Sequence, residues 1–119
     1  VNLANSSWDA PIHKAVLKGN MKLVKVLLDY GADINCPREL EQTPLHLAVI
    51  SGNLEMVKYL VERGADISLI DEINNLPIDY AIDEKDEDVI KYLLTKQRVD
   101  EKRLEKISTI MNCEEYKWI

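Results

Sequence analysis

The chain has 119 residues, enough for one domain or one short array. Charged residues make up 30%, with a formal net charge of −6, which argues against binding nucleic acid through its phosphates, since that needs a basic surface. Hydrophobic content of 46% supports a packed core, no apolar run reaches membrane-spanning length, and the low aromatic share of 6% suits thin, closely stacked layers.

Two cysteines, Cys36 and Cys113, are too few and too far apart for a disulfide framework or a zinc site. They read as reduced thiols in an intracellular protein, cytoplasmic or nuclear. No signal peptide is visible.

A fixed step of 33 runs through the chain. It relates Pro11, Pro44 and Pro77, Ala15, Ala48 and Ala81, and Leu27, Leu60 and Leu93. Gly19 and Gly52, and Gly31 and Gly64, keep it too. A period in this range marks a stacked repeat protein. Residues 1–97 are therefore expected to form the array. Val1-Asn2 stands one step before Ile34-Asn35, so residues 1–4 are read as the end of a preceding unit or a lead-in, with a cut from a longer array favoured.

Repeat 1 spans residues 5–37. Its helices carry Ile12, Ala15 and Val16, then Leu23, Val24, Leu27 and Leu28. Ala10 stands where repeat 2 has Thr43, which forgoes a cap worth about 1 kcal/mol and predicts a fraying first helix.

Repeat 2 spans residues 38–70 and is the most regular, which marks it as the stability centre. Thr43 is an N-cap residue, and Pro44 suits the first helical position. Leu45, Ala48 and Val49 share one face, and Gly52 ends the helix. Asn53 caps a second helix with Leu54, Val57, Leu60 and Val61 on its apolar face. Gly64 ends that helix, and Ala65–Ile67 lead out extended. The unit is helix, turn, helix, then a loop or hairpin. Helices this short must stack on neighbours.

Repeat 3 spans residues 71–97. Lys85 replaces the turn glycine, and Asp79 stands in register with His13 and His46. The acidic run Asp83, Glu84, Asp86, Glu87 and Asp88 reads first as a solvated end face, and second as a surface for a basic partner. Gln97 stands where Gly31 and Gly64 stood, so the helix can run on or turn into another. Residues 98–119 are read as a helical extension. Leu104, Ile107, Ile110 and Met111 lie near one face of it and cover the last apolar surface. The segment Tyr116-Lys117-Trp118-Ile119 is apolar and reads as folding back on the array or leading into a further part.

The motifs Thr43-Pro44-Leu45-His46-Leu47-Ala48, Gly52-Asn53-Leu54-Glu55 and Gly64-Ala65-Asp66-Ile67 resemble the ankyrin repeat family. Repeat 1 matches with Ala10-Pro11-Ile12-His13-Lys14-Ala15, Gly19-Asn20 and Gly31-Ala32-Asp33-Ile34-Asn35. Repeat 3 matches with Leu76-Pro77-Ile78-Asp79-Tyr80-Ala81 and Val89-Ile90-Lys91-Tyr92-Leu93-Leu94. The resemblance implies an all-α solenoid of helix-turn-helix units with short hairpin loops. It also implies that His13 and His46 serve structurally, bonding loops to helix starts.

No pattern points to catalysis, a cofactor or a metal. There is no glycine-rich phosphate loop, no Gly-x-Ser-x-Gly and no nucleophile paired with a base. Asp33 and Asp66 are repeat landmarks at a helix exit, not an acid and base pair.

Recognition of another protein is the expected function, as scaffold, adaptor or occluding inhibitor, with a chain that is monomeric by itself. The alternative is a regulatory or targeting segment of a larger enzyme or channel polypeptide; a third reading stacks copies end to end. The resemblance places contacts on the hairpin tips and the exposed side of each first helix. The candidates are Trp8, Asp9, Leu17, Lys18, Glu39, Leu40, Gln42, Ile50, Ser51, Ile73, Asn75, Asp83 and Glu84. Trp8, Leu17, Leu40, Ile50 and Ile73 are apolar where stacking does not require it, the anatomy of an interface. Trp8 reads equally as packing on the end of repeat 1. The family favours glycine where Trp8, Glu41 and Asn74 stand. Asn74 takes positive φ readily, but Glu41 and Trp8 do not, so a different turn is expected there.

Overall fold

The computed structural model describes residues 11–111, which form seven α-helices and, among the described residues, no strand. They are α1 (Pro11–Lys18), α2 (Met21–Asp29), α3 (Pro44–Ile50), α4 (Leu54–Glu62), α5 (Pro77–Glu84), α6 (Glu87–Leu94) and α7 (Glu101–Met111). A short 3₁₀ turn, Glu39–Glu41, precedes α3. The helices pair as α1–α2, α3–α4 and α5–α6, and α3 packs between α1 and α5.

The repeat explains the helix limits. Asn20, Asn53 and Asp86 stand at equivalent positions. Each accepts a bond from the backbone N–H three residues on, at 3.1 Å, 3.1 Å and 3.4 Å. Thr43 caps α3 in the same way, and its partner His46 closes a capping box. Between the helices of each unit the backbone turns left-handed. Gly19 and Gly52 do this at φ 70°, and Lys85 does it at φ 57° without a glycine's freedom. Ala10 and its effect on α1 lie outside the described residues.

The core is a ladder of equivalents. Ile12, Leu45 and Ile78 are buried, as are Ala15, Ala48 and Ala81. Outer-helix residues Val24, Val57 and Ile90 line up beneath them. The ladder breaks at one end. Met56 and Val89 are 0% exposed, while their equivalent Leu23 is 41% exposed with Val26 and Tyr30 beside it. Helix α6, which carries Val89, packs on α4, the outer helix of the preceding unit, and among the described residues no outer helix precedes α2.

The other end is closed by α7. Helix α6 stops at Leu94, three residues before Gln97, so it does not run on; the chain crosses in open conformation and α7 begins at Glu101. Asp100 caps α7 by accepting from Arg103 N–H at 3.0 Å. Ile107 is fully buried, Leu104 and Ile110 are half-buried, and the helix packs on α5 and α6. Met111 ends the helix; Cys113 and Tyr116–Ile119 lie outside the described residues.

Candidate functional site

The loops between units project as tips at the starts of α3 and α5, and the same backbone bonds shape both. Arg38 N–H donates to Gln42 O at 2.9 Å, and Asp71 N–H to Asn75 O at 3.0 Å. Glu41 N–H donates to Arg38 O at 2.8 Å, and Asn74 N–H to Asp71 O at 3.0 Å. Glu72 N–H donates to Leu40 O at 2.8 Å and ties one tip to the other.

Glu41 departs from the sequence expectation. It adopts positive φ after all, at 58°, and Leu40 joins it at 64°. Glu41 shares this conformation with its equivalent Asn74, which closes the same backbone bonds, whereas Leu40 does not share it with its equivalent Ile73; each such residue costs of order 1–2 kcal/mol. Asn74, at φ 64°, takes the conformation its side chain tolerates.

Histidines anchor the tips. His46 Nδ1 accepts from Thr43 N–H at 3.0 Å and lies 2.8 Å from Thr43 Oγ1. That leaves the proton on Nε2, which donates to Asn75 O at 2.9 Å. Burial pushes the imidazole below its ordinary pKa, against the opposing pull of the Asn75 carbonyl and the charges of Asp71 and Asp79. His13, in register with His46, has Nε2 2.7 Å from Cys36 O, a carbonyl earlier in the loop than Gln42, the residue in register with Asn75. Burial and nearby Asp33 raise the Cys36 thiol, the opposite of an activated nucleophile. Asp33 and Asp66 cap their own turns, accepting from Asn35 and Ser68 N–H at 2.9 Å.

Beneath the second tip lies a polar network that sequence reasoning missed. Asp71 is buried and accepts from Ile73 and Asn75 N–H and from the Tyr80 hydroxyl. Gln42 donates to Tyr80 Oη at 3.3 Å, and Tyr80 meets His46 edge to face at 5.9 Å. No motif signals it: Asp71 and Tyr80 meet within repeat 3, and Gln42 joins them only on stacking.

Of the sequence candidates, Leu17, Lys18, Ile50, Ser51, Asp83 and Glu84 are all exposed, at two equivalent positions at the ends of α1, α3 and α5, with Ser51 the C-cap of α3. Leu17 is 45% and Ile50 37% exposed, while Val16 and Val49 beside them are 0%. Leu40 and Ile73 occupy the tips at 49% and 61%. Glu39 opens the 3₁₀ turn. Gln42 and Asn75 are half-buried and hold the stack together. Trp8 and Asp9 lie outside the described residues.

In repeat 3 the histidine position is Asp79, and its partner is Arg103 of α7. The guanidinium donates twice, from Nε at 2.6 Å and Nη2 at 2.8 Å, and Leu76 N–H donates at 2.8 Å. Burial alone would raise the Asp79 carboxyl, but these bonds and the Arg103 charge outweigh it and hold it below the usual range.

A profile of the family described as ankyrin repeats (3 copies) matches residues 12–103. The chain belongs to the ankyrin repeat family. A search of curated proteins finds no match. Ankyrin repeats are in general protein-binding modules and typically non-catalytic. Among the described residues no group of His, Cys, Asp and Glu could hold a metal ion, and no helix is long and apolar enough to cross a membrane.

Proposed function

We propose that this ankyrin array binds a protein partner across its first-helix face and tips, as scaffold, adaptor or occluding inhibitor. The supporting observation is the pairing of Leu17 with Ile50. They sit at equivalent positions on adjacent helices, both exposed, while the residue before each is wholly buried. The stack uses Val16 and Val49 and needs neither neighbour. Leu40 and Ile73 extend the apolar surface to the tips, and Asp83 and Glu84 supply an acidic rim. Apolar anchors within a charged rim are the usual anatomy of a protein interface.

The test is affinity capture from a lysate with the native chain beside a Leu17→Asp, Ile50→Asp double variant whose helical spectrum is retained. A partner kept by the native chain and lost by the variant supports this surface. A partner held equally by both overturns it.

A further inference from the structure

The three helix pairs differ in charge, and the difference has a direction. Over residues 11–29, four lysines stand against Asp29 and leave +3. Over the equivalent residues 44–62, Lys58 against Glu55 and Glu62 leaves −1. Over residues 77–95, six carboxylates between Asp79 and Asp88 stand against Lys85 and Lys91 and leave −4. The loops between the pairs do not change this trend, because residues 30–43 and 63–76 carry −2 each. Nor does α7 with its cap, since Asp100, Glu101 and Glu105 balance Lys102, Arg103 and Lys106. The helix pairs thus run from basic at repeat 1 to acidic at repeat 3.

The trend is plain at the turn ends, beside the exposed pair Leu17 and Ile50. Lys18, Ser51 and Glu84 are equivalent there, as are Lys22, Glu55 and Asp88, and all six are exposed. The ion pairs among the described residues join Lys25 and Arg63 to Asp29, and Arg103 to Asp79 and Asp100, and use none of these six. Asp83 lines a groove toward α7 together with Lys85, Lys102 and Lys106, which offset it. The acidic end therefore rests on Glu84, Glu87 and Asp88, which do not line that groove and outnumber Lys85 beside them.

We propose that the partner of this surface is a polypeptide segment of opposite polarity, with carboxylates at the end seated on repeat 1, apolar residues over Leu17 and Ile50, and cations at the end seated on repeat 3. This rests on the function proposed above and adds the direction in which the partner lies. First helices pack side by side, α1 on α3 and α3 on α5. At about 8–10 Å per step, the two ends are about 16–20 Å apart. That is roughly twice the Debye length of about 8 Å at physiological salt, so each end acts on a ligand by itself and the net charge of −6 does not average them. An extended chain covers the distance in about five or six residues, with its apolar residues about three apart to meet Leu17 and Ile50. Complementary charge fixes orientation and speeds encounter, while the apolar pair supplies the contact. The reverse direction would set carboxylates against Glu84 and Asp88, and cations against Lys18 and Lys22.

The probe is the peptide acetyl-Glu-Glu-Leu-Ser-Ser-Leu-Ser-Lys-Lys-amide, carrying a nitroxide at one end or the other and added at millimolar concentration to the isotope-labelled full chain. A nitroxide at the acidic end should broaden the amide signals of Lys18 and Lys22 more than those of Glu84 and Asp88, and one at the basic end should do the reverse. Lys18→Glu with Lys22→Glu should weaken binding several-fold, less so at high salt. Leu17→Asp with Ile50→Asp should weaken it as well, each variant keeping a dispersed amide spectrum. Equal broadening by both labels, the opposite polarity, no binding, or an affinity indifferent to either pair of substitutions overturns the proposal. Concentration-dependent broadening without peptide would assign the face to a second copy and overturn it too. Partner capture reads the surface separately: a captured partner that the Leu17→Asp, Ile50→Asp variant loses, beside a peptide without polarity, keeps the surface and removes the polarity alone.

Discussion

Asp79 occupies the place that His46 holds one repeat earlier, and it reverses the direction of the bond. His46 donates to the carbonyl of Asn75 in the following tip. Asp79 accepts from Arg103 in a helix that stands where a further tip would come. One substitution in the repeat thus changes what can stack next, from a backbone loop to a basic helix.

That pairing should show coupling. Asp79→Asn and Arg103→Ala, alone and together, form a double-mutant cycle. The bidentate, largely buried geometry predicts a coupling of about 1–3 kcal/mol in urea unfolding. Purely additive effects would mean that α7 does not depend on the pair.

Helix α7 should contribute to stability through Ile107, which is fully buried. Ile107→Ala should cost about 2–4 kcal/mol, within the range for a core isoleucine truncated to alanine. Removal of residues 98–119 should lower the melting temperature as well. An unchanged curve for both would show that the helix does not dock in solution.

Stability should fall with acid through His46. Its imidazole is held neutral by burial, so its folded pKa lies below the unfolded value of about 6.5. Its contribution is full above that unfolded value and declines as pH drops toward the folded pKa, because the unfolded chain takes up the proton first. Melting temperatures from pH 7.5 to 5 should decline for the native chain, with a shallower slope in His46→Gln. Parallel slopes would count against it.

Lys85 holds φ 57° at an exposed site where Gly19 and Gly52 hold 70°. Lys85→Gly should therefore stabilise the protein by about 0.5–1 kcal/mol, the relief of left-handed strain exceeding the entropy lost by glycine. A destabilised variant would mean that the lysine earns its place through contacts.

Much of this architecture is legible in the chain because the period is strong. Pro44, Gly52, Asn53 and Gly64 mark helix starts and stops by local chemistry that needs no neighbour. The anchoring roles of His13 and His46 follow from the family resemblance. The tip at Leu40–Glu41 was not legible, because two consecutive left-handed residues there are not shared by the next tip, where only Asn74 is left-handed. Nor was the joining of Gln42 to Tyr80 and Asp71, or the docking of Arg103 on Asp79, since both bring together residues far apart in the chain. The candidate surface divides the same way. Leu17 and Ile50 stand out by position alone, whereas the structural duties of Gln42 and Asn75 appear only once the units are stacked.

Three of the ties at the tips end on main-chain oxygen: His13 near Cys36 O, His46 on Asn75 O, and Glu72 N–H on Leu40 O. A backbone acceptor is present whatever side chain is attached to it. The outward side chains at Leu40 and Ile73 can therefore be exchanged without breaking these three bonds. On the function proposed above, change at these two sites would alter the contact surface while leaving the assembly of the array largely untouched.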